Sequence, residues 1–157
     1  MQVMRPLIVL LAGTICTSAC SSAPPPPPYR PVADVKTLMA TVMEPAAEVY
    51  WDAVGIVVDE KGEQQIEPKS AEEWDLVRNA AFMVAESGNL LMMPSRAKDG
   101  GEWMAAAQLM VEAGQKAIRA AESRDKDAVF AVGADVYDAC TNCHSKYSPD
   151  IVRPNTR

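Results

Sequence analysis

Residues 125–147, "DKDAVFAVGADVYDACTNCHSKY", place apolar or small side chains at Val129, Val132, Gly133 and Val136, then continue with Cys140, Cys143, His144 and Tyr147. Steps of three and four are the repeat of an α-helix and do not fit the alternation of a strand. The stretch is therefore expected to be a helix with one buried face. Working outward, "SRDKD" (123–127) makes a turn, and before it Trp103, Ala106, Ala107, Met110, Val111, Gly114 and Ile118 repeat the helical spacing after "KDGG" (98–101). "SAEEW" (70–74) opens another helix. Ser70 is its cap, Glu73 completes a capping box, and Trp74, Val77, Ala81, Val84 and Ala85 form the inward stripe. It is expected to end around "SGNLLMMP" (87–94), where Gly88 and Pro94 weaken or stop it. The first helix starts at Asp34 as cap and runs through "VKTLMATVMEPAAEVYWDAVGIV" (35–57), with Val35, Leu38, Met39, Val42, Met43, Ala46, Val49, Tyr50 and Ala53 inward. Pro45 lies inside it and should kink it, because proline lacks the backbone donor and clashes with the preceding turn. "DEKGEQQIEPK" (59–69) is a polar excursion with room for a short strand pair at most. Four amphipathic helices with mostly short connections predict an all-α protein, an antiparallel up-down four-helix bundle.

The chain has 157 residues, 48% of them hydrophobic, enough for one compact domain and too few for two. Its net charge is −6 and it has no basic cluster, which excludes a nucleic-acid-binding surface. The first residues, "MQVMRPLIVLLAGTICTSAC", combine Arg5, a short apolar run and small residues before Cys20, the pattern of a secretory signal peptide over 1–19. A cysteine directly after small residues resembles a bacterial lipoprotein cleavage site, with Cys20 as the acylated first residue of the mature chain; the alternative is an ordinary signal peptide cleaved nearby. Loss of Arg5 with the signal leaves a charge of 14 − 21, or −7. Residues 20–33 include five consecutive prolines. These settle into an extended helix and make a spacer of roughly 15 Å, at about 3.1 Å per residue. The expected domain is 34–157. It is held at the periplasmic side of a bacterial membrane by a lipid anchor, and Ser21 after the anchor points to the outer one.

Cys16 leaves with the signal and Cys20 is lipidated, so the domain keeps only Cys140 and Cys143. These stand three apart on one helix face, and His144, the only histidine, is four beyond Cys140. C-x-x-C-H is the attachment signature of a c-type haem. Each thiol adds across one vinyl group, and the adjacent imidazole lies where it can coordinate the iron. Zinc would need four suitable ligands, and the domain has no second cysteine pair and no second histidine. A thioredoxin-like dithiol normally sits between a strand and a helix of an α/β fold, which the pattern does not provide. The acidic residues form no paired-carboxylate site, and no nucleophile elbow or phosphate loop is present, so an enzyme is not expected.

A single C-x-x-C-H near the C-terminus of a four-helix domain resembles the class II c-type cytochromes, the cytochrome c-prime group and its low-spin relatives. The resemblance covers residues 34–147, and "VMEPAAEVYWDAVG" (42–55) and "GNLLMMPSRA" (88–97) look like segments of one branch of that group. It implies one covalent haem c packed between the first and last helices, with His144 as proximal ligand and the distal face of the iron against the first helix. Low-spin relatives bind a methionine of that helix. Met39 is the first choice here and Met43, four residues on, the alternative, although methionine also suits irregular core gaps. With a bound methionine the resemblance implies an electron carrier that meets a redox partner protein. With an open iron it implies a protein that binds nitric oxide or carbon monoxide. The family's bundles often form homodimers. Trp51, Trp74 and Trp103 read as core aromatics around the haem, Met92 and Met93 as packing or, alternatively, as neighbours of the haem edge, and Arg96 either as a partner for a haem propionate or as a solvated loop residue.

Overall fold

The computed structural model describes residues 28–152. Residues 1–19, expected to be a signal peptide, Cys20, expected to be lipidated, and most of the proline-rich stretch lie outside the described residues. The body considered below belongs to the unit Pro31–Arg157.

The chain enters at α1 (Val35–Leu38), continues without a break through a π-helical turn (Met39–Met43) and runs on as α2 (Glu44–Trp51). The Asp34 carboxylate caps α1 by accepting from the Thr37 N–H at 2.7 Å. Pro45 explains the π turn. It offers no N–H to the turn before it, and the backbone responds by widening, with the Glu44 N–H donating five residues back to Met39. The widening also inserts a step of five between buried residues, Leu38 to Met43, before the ordinary spacing resumes at Ala46, Ala47 and Tyr50. Phase is lost across that step, so Val49, expected inside, is 48% exposed.

The first helix was expected to reach residue 57 and instead ends at Trp51. Gly55 and the β-branched Ile56, Val57 and Val58 are weak helix formers. They form β1 (Gly55–Asp59), which pairs antiparallel with β2 (Gly62–Ile66), Gly55 opposite Ile66 and Asp59 opposite Gly62. Gly62 has φ 111°, a conformation that favours glycine, and closes the hairpin.

Next comes α3 (Ala71–Leu91), opened by the Ser70–Glu73 capping box. Gly88 does not stop it. A Cβ there would lie 2.7 Å from Val111 Cγ2 and 2.8 Å from the Ala107 carbonyl oxygen, and one at Gly114 would lie 2.6 Å from Ala85 Cα. The two glycines let α3 lie close against α4 (Glu102–Ser123), the most extensive helix contact among the described residues. The second helix therefore ends at Leu91, and Gly88 serves packing rather than termination. Arg124, in a left-handed conformation (φ 53°), turns the chain into α5 (Lys126–Tyr147), and a short α6 (Pro149–Val152) follows.

α5 packs on α4, and α2 packs on both α3 and α5. Trp51 Nε1 donates to the Gly133 carbonyl at 2.9 Å, tying α2 to α5. The molecule is mostly helical, with one small hairpin. Its core draws on every long helix through Leu38, Tyr50, Val77, Val84, Trp103, Met110, Val129 and Val136. Among the described residues no helix is long and apolar enough to cross a membrane.

Candidate functional site

The inward face of α5 carries Cys140, Cys143 and His144 to one wall of a cavity. The π turn brings Met39 and Met43 to the same cavity, α3 brings Leu91, and α4 brings Trp103, Ala106, Ala107 and Met110. The cavity volume is about 20 Å³, and the surrounding concavity, open in part to solvent, is about 330 Å³. An open groove between α4 and α5, bounded by Glu102, Leu109, Asn142 and Lys146, shares Ala106 as a wall with it.

Both cysteines are free and half-buried. Burial, reinforced by the neighbouring Cys143, pushes the Cys140 thiol up to about 11, and burial raises Cys143 as well. Desolvation disfavours a thiolate, so both groups stay protonated at neutral pH. His144 lies one turn before the end of α5, where its carbonyl accepts from the Ser148 N–H at 2.9 Å.

The end of α5 that bears these groups is fixed against the start of α4. Trp103, buried at the cavity wall, donates from Nε1 to the Leu91 carbonyl at 2.8 Å. The Tyr147 ring meets its indole edge-on, with centroids 4.9 Å apart. The Tyr147 hydroxyl donates to the Asp99 carboxylate, whose other oxygen accepts from the Gly101 N–H at 2.9 Å and the Trp103 N–H at 3.0 Å. The Tyr147 bond, followed by the Trp103 N–H, holds the Asp99 carboxyl below the usual carboxylate range. Burial and then the Asp99 bond push the Tyr147 phenol up to about 12. Lys146 pairs with Glu102 alongside.

All five residues singled out for the site, Cys140, Cys143, His144, Met39 and Met43, come together here. Of the tryptophans, Trp103 lines the cavity and Trp51 and Trp74 do not. Met92 and Met93 stay outside it as well. Arg96 is neither solvated nor at the cavity. It is buried, and donates from Nε to the Ala33 carbonyl at 3.0 Å and from Nη1 to the Leu90 carbonyl at 3.2 Å and Met93 Sδ at 3.0 Å. Met110 was visible only as one member of an inward stripe. Its spacing from Trp103 and Ala107 gives its helix face, but the helix opposite that face is a property of the fold. Among the described residues, no three of His, Cys, Asp and Glu come together in a way that would hold a metal ion. The cavity's donors are chiefly sulfur. No family model, no curated protein and no solved structure matches the chain.

Proposed function

We propose that the chain is a monohaem c-type cytochrome of the class II kind, an antiparallel up-down four-helix bundle that carries electrons. In this reading it is exported, anchored through Cys20 on the periplasmic side of a bacterial membrane, and meets a redox partner protein there. One observation carries the proposal: the two methionines chosen as distal ligands line the same cavity as both cysteines and the histidine of C-x-x-C-H, although about a hundred residues separate them in sequence.

The residues fit the group by their chemistry. Cys140 and Cys143 are free for two thioether bonds, and His144 offers an imidazole beside them. Bound there, haem would supply reversible one-electron chemistry at iron. The enclosed space is far smaller than a tetrapyrrole, so side chains must yield to it. Met39, Met43 and Met110, which fill the space, are the adaptable kind. Leu91, Trp103, Ala106 and Ala107 keep water from the site. Met39, or Met43 in its place, would offer the iron a thioether in both oxidation states, which would keep reorganisation small and favour the ferrous state.

The apolar character of the cavity supports a second reading. If neither thioether binds, the apolar lining of Leu91, Ala106, Ala107 and Met110 would suit a small neutral gas at the iron rather than a charged ligand. Absorption spectra of protein made in a host that attaches haem c separate the two. A sharp low-spin ferrous spectrum, unchanged by carbon monoxide, is the expected result. A broad high-spin spectrum that shifts at once would transfer the assignment to gas binding, and a colourless protein would end the haem reading.

A further inference from the structure

Among the described residues, two tryptophan–tyrosine pairs join α5 to its neighbours, and their surroundings differ. Trp51 meets Tyr137 with centroids 6.2 Å apart, away from the cavity, and Tyr137 is 58% exposed. Trp103 meets Tyr147 at 4.9 Å, and this tryptophan is a wall of the cavity. Tyr147 is also the only tyrosine among the described residues whose hydroxyl donates to a carboxylate, that of Asp99. The Tyr50 hydroxyl, by contrast, is buried without a partner. Along the same cavity lie the sulfur side chains of Met39, Met43, Met110, Cys140 and Cys143, which oxidation damages readily.

The geometry points to Tyr147 as a redox-active residue that, with Trp103 as relay and Asp99 as proton acceptor, carries an oxidising equivalent out of the cavity and spares the sulfur there. A one-electron oxidant at the cavity takes an electron from the Trp103 indole. The indole N–H is held by the Leu91 carbonyl at 2.8 Å, a poor proton acceptor, so the oxidised ring is refilled by an electron from Tyr147 rather than by losing its proton. As that electron leaves Tyr147, the O–H proton passes along the existing hydrogen bond to Asp99, because an oxidised phenol is a strong acid that any carboxylate can deprotonate. The oxidant gains one electron, Asp99 gains one proton, and Tyr147 is left as a neutral phenoxyl radical. Lys146 Nζ lies 5.6 Å from the Tyr147 ring centroid and opposes a positive ring, so the proton has to leave with the electron. Asp99 is held in place for this, its other oxygen accepting from the Gly101 and Trp103 N–H groups. A small one-electron donor at the surface, such as ascorbate, restores the phenol, which takes its proton back from Asp99. Tyr137 has no carboxylate acceptor and would have to release its proton to water. Only the natural source of the oxidant depends on the haem assignment.

The test uses the full chain in two forms. Without haem, flash-generated ruthenium(III) tris-bipyridine is the oxidant, and freeze-quench electron paramagnetic resonance reads the phenoxyl radical. The larger part of the signal is expected to vanish in Tyr147→Phe and to survive in Tyr137→Phe. Asp99→Asn should slow its formation about tenfold or more, since the positioned proton acceptor is gone. Phenylalanine keeps the ring against Trp103 and asparagine still caps α4, so both variants are expected to fold as the wild type does. With haem attached, hydrogen peroxide is the oxidant, and peptide mass spectrometry reads sulfoxide at Met39, Met43 and Met110, which should rise severalfold in Tyr147→Phe. A radical that survives in Tyr147→Phe, or forms as fast in Asp99→Asn, would overturn the assignment, and equal sulfoxide in wild type and Tyr147→Phe would overturn the protective role. Haem attachment without a Tyr147 radical defeats this inference alone; a Tyr147 radical in a chain that attaches no haem defeats only the haem assignment.

Discussion

Burial on the α5 face sets the behaviour of the Cys140 thiol. Its ordinary value of 9.0 rises to about 11, chiefly by desolvation and then by Cys143. In the haem-free chain, iodoacetamide should therefore modify Cys140 at pH 8 more slowly than a free thiol by on the order of a hundredfold, with a tenfold gain per pH unit toward 11. The same shift has a sign for stability. Between pH 9 and about 11 the unfolded chain has released a proton that the folded chain still holds, so this contribution is complete below 9 and is lost as pH rises through 11. The urea midpoint should fall over that window in the wild type and fall less in Cys140→Ser. The methionines pose a different question, ligation against packing. Leucine nearly conserves methionine's volume, at a cost in stability usually under about 1.5 kcal/mol, yet removes the sulfur. In the haem-attached protein, Met39→Leu is expected to give a high-spin spectrum that responds to carbon monoxide, and Met43→Leu to leave the spectrum low-spin. The reverse result would move the distal ligand to Met43.

At the scale of the element, the contact between α3 and α4 rests on the absence of two side chains. Gly114→Ala gains about 1 kcal/mol of helix propensity, but its Cβ would sit 2.6 Å from Ala85 Cα, a backbone atom that cannot move alone. Overpacking of this kind costs about 1–3 kcal/mol, and the close backbone contact puts this site at the upper end, so the variant is expected to be less stable by up to about 2 kcal/mol in urea unfolding. Ser70→Ala tests the other end of α3. Loss of the capping-box hydroxyl should cost about 1 kcal/mol without disturbing the cavity. Legibility in the sequence followed the same division. The caps at Asp34 and Ser70 and the inward faces of α3, α4 and α5 were readable because they depend on neighbours three or four residues away. The end of α3 within residues 87–94 was legible and falls at Leu91, whereas Gly88, read as weakening or stopping the helix, serves packing because its role depends on Ala107 and Val111 across the helix pair. The end of the first helix at Trp51 was missed because Val54 and Ile56 continue an apolar pattern that strand and helix share. The effect of Pro45 was foreseen as a kink and met as a π turn, and that turn moved Val49 outward. The C-x-x-C-H residues were legible by spacing alone, while Met110 needed the packing of four elements to be seen as part of the site.

For the whole molecule, the cavity links folding to the oxidation state of the proposed haem. The two thioether bonds would tie haem to α5 only, and a methionine bond from the π turn would add a second, non-covalent tie between the N-terminal helical segment and α5. That tie exists only in the folded chain, since unfolding separates Met39 and Met43 from His144. A thioether prefers ferrous iron, so folding should raise the reduction potential relative to the unfolded haem peptide. Closing the thermodynamic cycle, every 59 mV of that rise is a tenfold shift in the folding equilibrium, about 1.4 kcal/mol, in favour of the reduced protein. Ferrous protein is therefore expected to unfold at a higher guanidinium concentration than ferric protein, with equal slopes, since the same surface is exposed in both. Met39→Leu should bring the two midpoints together while leaving the ferric one nearly in place. Coincident midpoints in the wild type would mean that no methionine reaches the iron, and the open-iron reading, with its bound diatomic gas, would then be the one to pursue.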